Sequence, residues 1–332
     1  MKAICYTEHR SLEVREVPTP REPAPGHVIV NMDSASIMHG DKFFLRHPLP
    51  NGTWATARHD IYGSNGGGTI VAIGAGVPAR YLDRKVAIYK ALKPSVEATG
   101  LWCETAHVPF ETCLILPDNL RVRDYNGSLA NILTIYAFLA QAKSEGHRGV
   151  IVTAGSSATG LIAASFTRRR GIPAIFLVRS AAARERLVSL GIEHVLLTTE
   201  EDFEARLRDL ATLLGATAVF DGVGGELFGR IVPALPEGAT VYVAGIMGAS
   251  TPAVFSTMHI VASNLTIKRF SVLETATLLH PEKLAAASRD IETLIDDPLL
   301  ATRIGAEFRF EQIDEAMEYD SSAGLRPVLV AC

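Results

Sequence analysis

The sequence predicts an α/β protein in which a β-rich domain is interrupted by a doubly wound parallel-sheet domain. Three observations carry this. From about residue 125 onward, short β-branched runs alternate regularly with helical patterns. Before that point many short strand-like runs are broken by turn residues, and no helical period is sustained. After about residue 270 the remaining elements are too few to form a core of their own, so they are expected to fold back onto the first part.

Taken in order, MKAICYTEHRSLEVREV reads as two short strands and lacks the apolar stretch of a leader segment. Pro18, Pro20, Pro23 and Pro25 mark an extended connection. VIVNMDSAS, with Val28, Val30 and Met32 in alternation, is a strand, and so is GTIVAIG from Gly68. SIMHGDKFFLRHPLPNG reads as a turn segment, and VAIYKAL and CETAHVP add strands. Together they predict a compact barrel-like unit over residues 1–124. SLANILTIYAFLAQAKSEG is one long helix closing on Gly146, and it opens a unit over residues 125–268. GVIVTAG, PAIFLVRS, HVLLTT, ATAVFDGVGG, ATVYVAG and NLTIKRF supply about six parallel strands, with helices between them. Residues 269–332 give a helix (PEKLAAASRDIETLID), a strand (IGAEFRF), a helix (EQIDEAMEYD) and a final strand (RPVLVAC).

In a doubly wound sheet the ligand sits at the carboxyl ends of the strands. The candidate there is Gly155-Ser156-Ser157-Ala158-Thr159-Gly160, where a strand turns tightly into a helix. Backbone N–H groups at a helix start are unpaired and carry partial positive charge, so they favour a phosphate. The spacing also fits a triphosphate loop, but Leu161 and Ile162 stand where a lysine and a hydroxyl residue are required. The dinucleotide pattern GxGxxG fits with its middle glycine missing; a small serine still admits a pyrophosphate, and Ser156 and Ser157 add hydroxyls. At the end of the next strand an acidic residue would hold a ribose 2′-hydroxyl, whereas the chain has Arg179 and Ser180, with Arg184 one turn into the following helix. A guanidinium pairs with a 2′-phosphate in a forked contact, so the expected cofactor is NADPH rather than NADH.

With these pieces in view, the whole chain resembles the medium-chain dehydrogenase/reductase superfamily, in its zinc-free quinone-oxidoreductase and enoyl-reductase branches. The resemblance rests on GSNGGGTIVAIGAGV from Gly63, HVPFETCLILPDNL from His107, the loop above, VSLGIEHVL, VFDGVGG and the C-terminal GLRPVLV. It implies a GroES-like catalytic domain interrupted by a Rossmann domain. By the same resemblance Thr134 lies near the nicotinamide, and Gly222, Val223, Gly245 and Ile246 line the cofactor at strand ends. Phe270, Ser271 and Val272 present backbone to the carboxamide, and Gly324 and Arg326 approach the site.

Zinc enzymes of this superfamily hold a catalytic metal with two cysteines and a histidine. Met38, Ser64 and Ala130 or Asn131 stand at the matching positions, with Asn65 in place of a glutamate, so no metal is expected. The implied activity is NADPH-dependent reduction of quinones or α,β-unsaturated carbonyl compounds. Reduction of enoyl thioesters is an alternative, although the tyrosine such enzymes use is absent from the segment after Ile37. A cofactor-binding but catalytically idle protein is the alternative from another class. For a proton donor or orienting group the candidates are His39, Tyr62 and Asn65.

Composition sets the remaining bounds. The chain has 332 residues, 48% of them hydrophobic and 20% charged, with a net charge of -4. That is long enough to bury a large core, and the charge argues against nucleic acid as the main partner, since no face need be strongly basic. Four scattered cysteines without a paired spacing suit a reducing, cytoplasmic setting, and no stretch approaches a membrane span. The strand NLTIKRF, at a sheet edge, makes a homodimer the default assembly.

Overall fold

A computed structural model describes residues 1–47, 57–245, 247–248, 250–321 and 324–331. They divide into two units, Met1–Ala130 with Leu284–Cys332, and Asn131–Lys283.

The first unit opens with β1 (Lys2–Tyr6) and β2 (Leu12–Glu16), an antiparallel pair. β3 (His27–Ser36) follows, and Val28, Val30 and Met32 on one face of its pleat are buried. Residues 39–46 form a helix, α1 (His39–Arg46), where the sequence reading has a turn. The reason is local: the Asp41 carboxylate, three residues in, accepts the N–H of Met38 at 2.8 Å and satisfies a donor that a helix start leaves open. β4 (Asn65–Ile73), β5 (Lys85–Tyr89), β6 (Thr105–Pro109) and the short β7 (Cys113–Ile115) complete this part.

The second unit takes most of α2 (Leu129–Ser144), whose Ile132, Leu133, Ile135, Phe138, Leu139 and Ala142 are all buried. A helix apolar on every side is a core helix. The ring of Phe138 meets those of Phe220, Tyr242 and Phe270 at centroid distances of 5.1, 5.2 and 6.1 Å. This cluster explains why the chain divides after Ala130 and Lys283, later than the boundaries at 124 and 268 expected from sequence: Phe270 belongs to this core. The elements then alternate as β8 (Gly149–Val152), α3 (Ala158–Arg169), β9 (Ala174–Val178), α4 (Ala181–Ser189), β10 (Val195–Leu197), α5 (Phe203–Leu214), β11 (Ala216–Asp221), α6 (Gly225–Ile231), β12 (Thr240–Val243), α7 (Met258–Ala262) and β13 (Thr266–Arg269). All its strand pairs are parallel, in the order β10-β9-β8-β11-β12-β13. The order reverses between β8 and β11, which is where a doubly wound sheet opens a crevice at its carboxyl edge. A short helix, α8 (Ala276–Leu279), follows.

The chain returns to the first unit through α9 (Pro281–Glu292), β14 (Ile304–Phe308), α10 (Ile313–Glu318) and β15 (Arg326–Val330). β15 pairs antiparallel with β3, Val328 opposite Ser36, and parallel with β14. The result is a seven-stranded sheet, β14-β15-β3-β4-β5-β7, with β6 also on β3. Ile4, Ala35, Ile37, Tyr62 and Trp102 pack with Phe310, Ile313 and Leu329, so early and late segments share one core. Among the described residues no helix is long and apolar enough to cross a membrane.

Candidate functional site

In the second unit the site begins where β8 ends. The Thr153 hydroxyl donates to the Asp221 carboxylate at 2.8 Å and accepts the N–H of Gly222 at 2.9 Å. The same carboxylate accepts the N–H groups of Val223 and Gly224, at 3.1 and 3.0 Å. Asp221 also takes the N–H groups of Ala244 and Gly245 on its backbone carbonyl. One buried residue therefore ties the ends of β8, β11 and β12 together, and brings Gly222, Val223 and Gly245 to one edge. A side chain at Gly245 would put a carbon 2.3 Å from the carbonyl of Gly222, so the contact between the two loops requires glycine. Ile246 lies outside the described residues.

The loop 155–160 sits at the same edge. The Gly155 N–H donates to Leu177 of β9, and Gly160 packs so tightly that a Cβ would lie 2.3 Å from the Gly155 carbonyl. The Ser157 hydroxyl caps α3 by accepting the Gly160 N–H at 3.1 Å. Ala158 and Thr159 form the first turn of that helix, where N–H groups have no intrahelical acceptor and face an incoming anion. Ser156 is half-buried beside them.

The three residues expected at the end of β9 behave differently. Ser180 caps α4, accepting the Ala183 N–H at 3.3 Å. Arg184 donates to Glu200 at 2.7 Å, and Arg206 pairs with the other oxygen of the same carboxylate. Arg179 is exposed and makes no ion pair with any described residue. Thr134 is half-buried on α2. Phe270 continues the sheet through its N–H to Val243 and turns its ring into the aromatic core, while Ser271 and Val272 are half-buried beyond it.

The first unit holds a second, wholly buried polar cluster. Asp41 is fully buried; its Oδ1 accepts from the Ser64 hydroxyl at 2.7 Å, which in turn accepts from Asn65 Nδ2 at 2.8 Å. Asn65 is 1% exposed and its Oδ1 has no hydrogen-bond partner. Burial pushes the Asp41 carboxyl up to about 6, against the hydrogen bonds from Ser64 and Met38 and the charge of Arg326. Burial likewise lowers Lys90 to about 8, while the Asp41 charge opposes that shift. Arg326, at the start of β15, is lowered by burial and held up by Asp41. The phenol of Tyr62 donates to the Asp41 backbone carbonyl at 2.8 Å, and burial raises it well above the ordinary tyrosine range. His39 is exposed on the first turn of α1, its ring stacked on Phe43 at 6.5 Å. Gly324, with φ +74°, precedes β15.

Asp41, Ser64 and Lys90 escape the sequence reading as a group. An aspartate at the third position of a helix is an ordinary capping residue, and Ser64 reads there only as a vacant ligand position. The available signal is the polar pair Ser64-Asn65 opening a strand whose flanks are apolar.

The positions that match a zinc site do not suit the metal. Met38 is a buried thioether and Ser64 a neutral hydroxyl already held between Asp41 and Asn65, so neither supplies the thiolate or imidazole that zinc requires. Among the described residues no group of three His, Cys, Asp or Glu side chains could hold a metal ion.

Residues 158–288 match the zinc-binding dehydrogenase family. Across the whole chain, a mycobacterial quinone oxidoreductase superimposes with a TM-score of 0.78 at 22% identity, covering 100% of both chains. The chain has the fold of the medium-chain dehydrogenases and reductases. The Escherichia coli quinone oxidoreductase complexed with NADPH superimposes on this medium-chain fold with a TM-score of 0.74 at 19% identity, covering 99% of each chain. An NAD-dependent alcohol dehydrogenase does so at 0.77 and 21%, covering 100% of both, so the fold alone does not choose the chemistry. No curated protein sequence matches the chain.

Proposed function

We propose that the protein is an NADPH-dependent reductase of quinones or α,β-unsaturated carbonyl compounds that works without a metal. The observation that carries the cofactor half is Arg179. It is an exposed, unpaired guanidinium at the carboxyl end of β9, beside a loop whose helix start offers free N–H groups. When bound there, the nicotinamide supplies a hydride. Ala158 and Thr159 N–H groups hold the pyrophosphate, Arg179 pairs with the 2′-phosphate, and Gly222, Val223 and Gly245 let the cofactor approach backbone closely. Arg184, already neutralised by Glu200, shapes the pocket rather than adding charge.

Reduction of a conjugated acceptor, rather than oxidation of an alcohol, follows from the donor set. Met38 and Ser64 cannot make the Lewis acid that an alcohol dehydrogenase of this fold needs. The NADPH-bound quinone oxidoreductase of Escherichia coli supports the same assignment. Stopped-flow loss of NADPH absorbance with a panel of quinones, enones and enoyl thioesters tests it. Quinones or enones should turn over fastest. NADPH binding without oxidation by any acceptor would instead mark an idle binding protein.

Arg179→Ala should lower the ratio of NADPH to NADH affinity by about tenfold or more, because a charge-assisted pair is lost. An unchanged ratio removes the 2′-phosphate assignment. A homodimer built on the edge strand β13, beside the exposed Met258 and Val261, completes the reading. A reducing cytoplasmic setting suits the three free, buried cysteines Cys5, Cys103 and Cys113.

A further inference from the structure

We propose that Glu200 sets how strongly this chain prefers a 2′-phosphorylated cofactor, by holding Arg184 and Arg206 in ion pairs while Arg179 is left open. This rests on the NADPH reading above and concerns the second unit alone. Glu200 stands in the loop between β10 and α5. At the start of that loop the Thr198 N–H donates to the Val178 carbonyl at 2.8 Å, so the loop leaves the sheet beside the residue that precedes Arg179. The carboxylate and the open guanidinium therefore share one edge, the carboxyl ends of β9 and β10.

Three helices hold the loop. From α4, Arg184 donates to Glu200 Oε1 at 2.7 Å. From α5, Arg206 takes Glu200 Oε2 and also lies 3.9 Å from the Asp202 carboxylate. From α6, Arg230 donates to the Thr198 carbonyl at 2.7 Å and to Glu204 at 2.6 Å. Each of these cations has a carboxylate beside it, whereas Arg179 makes no ion pair with any described residue.

A carboxylate shared by two guanidinia makes charge-assisted hydrogen bonds with both and cancels part of their field. Glu200 thus acts on an incoming phosphate through its neighbours: it keeps Arg184 engaged on the loop and offsets the charge of Arg184 and Arg206. It is a positioning residue, and Arg179 remains the group that meets the phosphate. The pair is partly exposed, so the effect is modest and weakens as salt rises. Simple bracing of the loop is separable from this role. NADPH and NADH differ only by the 2′-phosphate, so bracing changes both affinities together, while a charge acting on that phosphate changes their ratio.

The test is titration of the protein with NADPH and with NADH, without acceptor, followed by nicotinamide fluorescence at low salt. Glu200→Gln keeps the size and an accepting oxygen and removes the charge. It should raise the ratio of NADPH to NADH affinity about fivefold, with a smaller gain at high salt. Glu200→Asp should return the ratio toward wild type, and adding Arg184→Ala to Glu200→Gln should remove most of the gain. Glu201→Gln makes the same change of net charge at the exposed neighbour and should leave the ratio within about twofold of wild type. A Glu200→Gln ratio equal to wild type, an equal gain from Glu201→Gln, or a gain that survives Arg184→Ala in full overturns the proposal. If Arg179→Ala leaves the wild-type ratio unchanged, the 2′-phosphate reading fails and this proposal fails with it. A ratio that falls in Arg179→Ala but does not move in Glu200→Gln removes the role of Glu200 alone.

Discussion

Ala154 adopts a left-handed backbone, φ +51°, immediately before the loop at the end of β8. For an L-residue with a Cβ that conformation is strained, by roughly 1–2 kcal/mol, and glycine escapes it. Ala154→Gly should therefore stabilise the protein by about 1 kcal/mol in urea unfolding, despite glycine's greater freedom in the unfolded chain. A variant no more stable than wild type would show that the strain is relieved elsewhere. His107 makes a second case. Its Nδ1–H donates to Glu97 at 2.9 Å and its Nε2 accepts the Ala24 N–H at 3.0 Å, so both bonds exist only for the neutral ring. Burial lowers it below its ordinary value of 6.5. The folded chain resists a proton that the unfolded chain accepts, so this contribution is complete above pH 6.5 and is lost as pH falls toward the lowered value. Asp41 has the opposite sign, its contribution being lost as pH rises from 3.8 through about 6. The comparison must accordingly be made between variants: between about pH 7 and pH 5, His107→Gln should lose less stability than wild type. Parallel losses would remove His107 from the account.

At the level of elements, the strand ends of the second unit depend on Asp221. Replacing it with alanine leaves the Thr153 hydroxyl and the N–H groups of Val223 and Gly224 without their acceptor inside a buried edge. Asp221→Ala should cost about 3 kcal/mol and, on the function proposed above, weaken NADPH binding, whereas Thr153→Val, which removes one of the bonds, should cost about half as much. Calorimetric melting and a cofactor titration would check both, and a Thr153 variant as damaged as the Asp221 variant would show that the hydroxyl, not the carboxylate, organises the edge. Most of this edge was readable from residue order, since β-branched runs with small residues after them mark strands turning into helices. The hydrogen bonds to Asp221 were not, because a residue 68 positions from Thr153 carries no local signal of it. α1 was misread as a turn for a related reason. Gly40 and the following polar residues look like a turn until the Asp41 side chain folds back on Met38, and that capping bond then starts the helix. The buried cluster of the first unit stayed hidden because Asp41, Ser64 and Lys90 lie on α1, before β4 and after β5, and only strand pairing brings them together.

For the molecule as a whole, the order of elements along the chain has consequences for folding. The second unit is continuous, Asn131–Lys283, and every strand in its sheet comes from that stretch. The first unit needs both ends of the chain: β15 pairs with β3 through Val330 opposite Ser34 and Val328 opposite Ser36, and Phe310, Ile313 and Leu329 complete a core begun by Ile4 and Ile37. Closing so long a loop costs entropy before any contact offsets it, and slows folding relative to local pairings. The second unit should therefore fold first and the first unit should wait for β15. A fragment of residues 131–283 should unfold cooperatively in urea by itself. Residues 1–130 should remain without a cooperative transition until a separate chain of residues 284–332 is added, which supplies β14 and β15. In refolding of the intact chain, pulse-labelled amides of β8 and β11 should gain protection before those of β3 and β15. Protection of β3 and β15 at the same time as β8 would mean that the two units fold as one, and that the interruption of the first by the second sets no order.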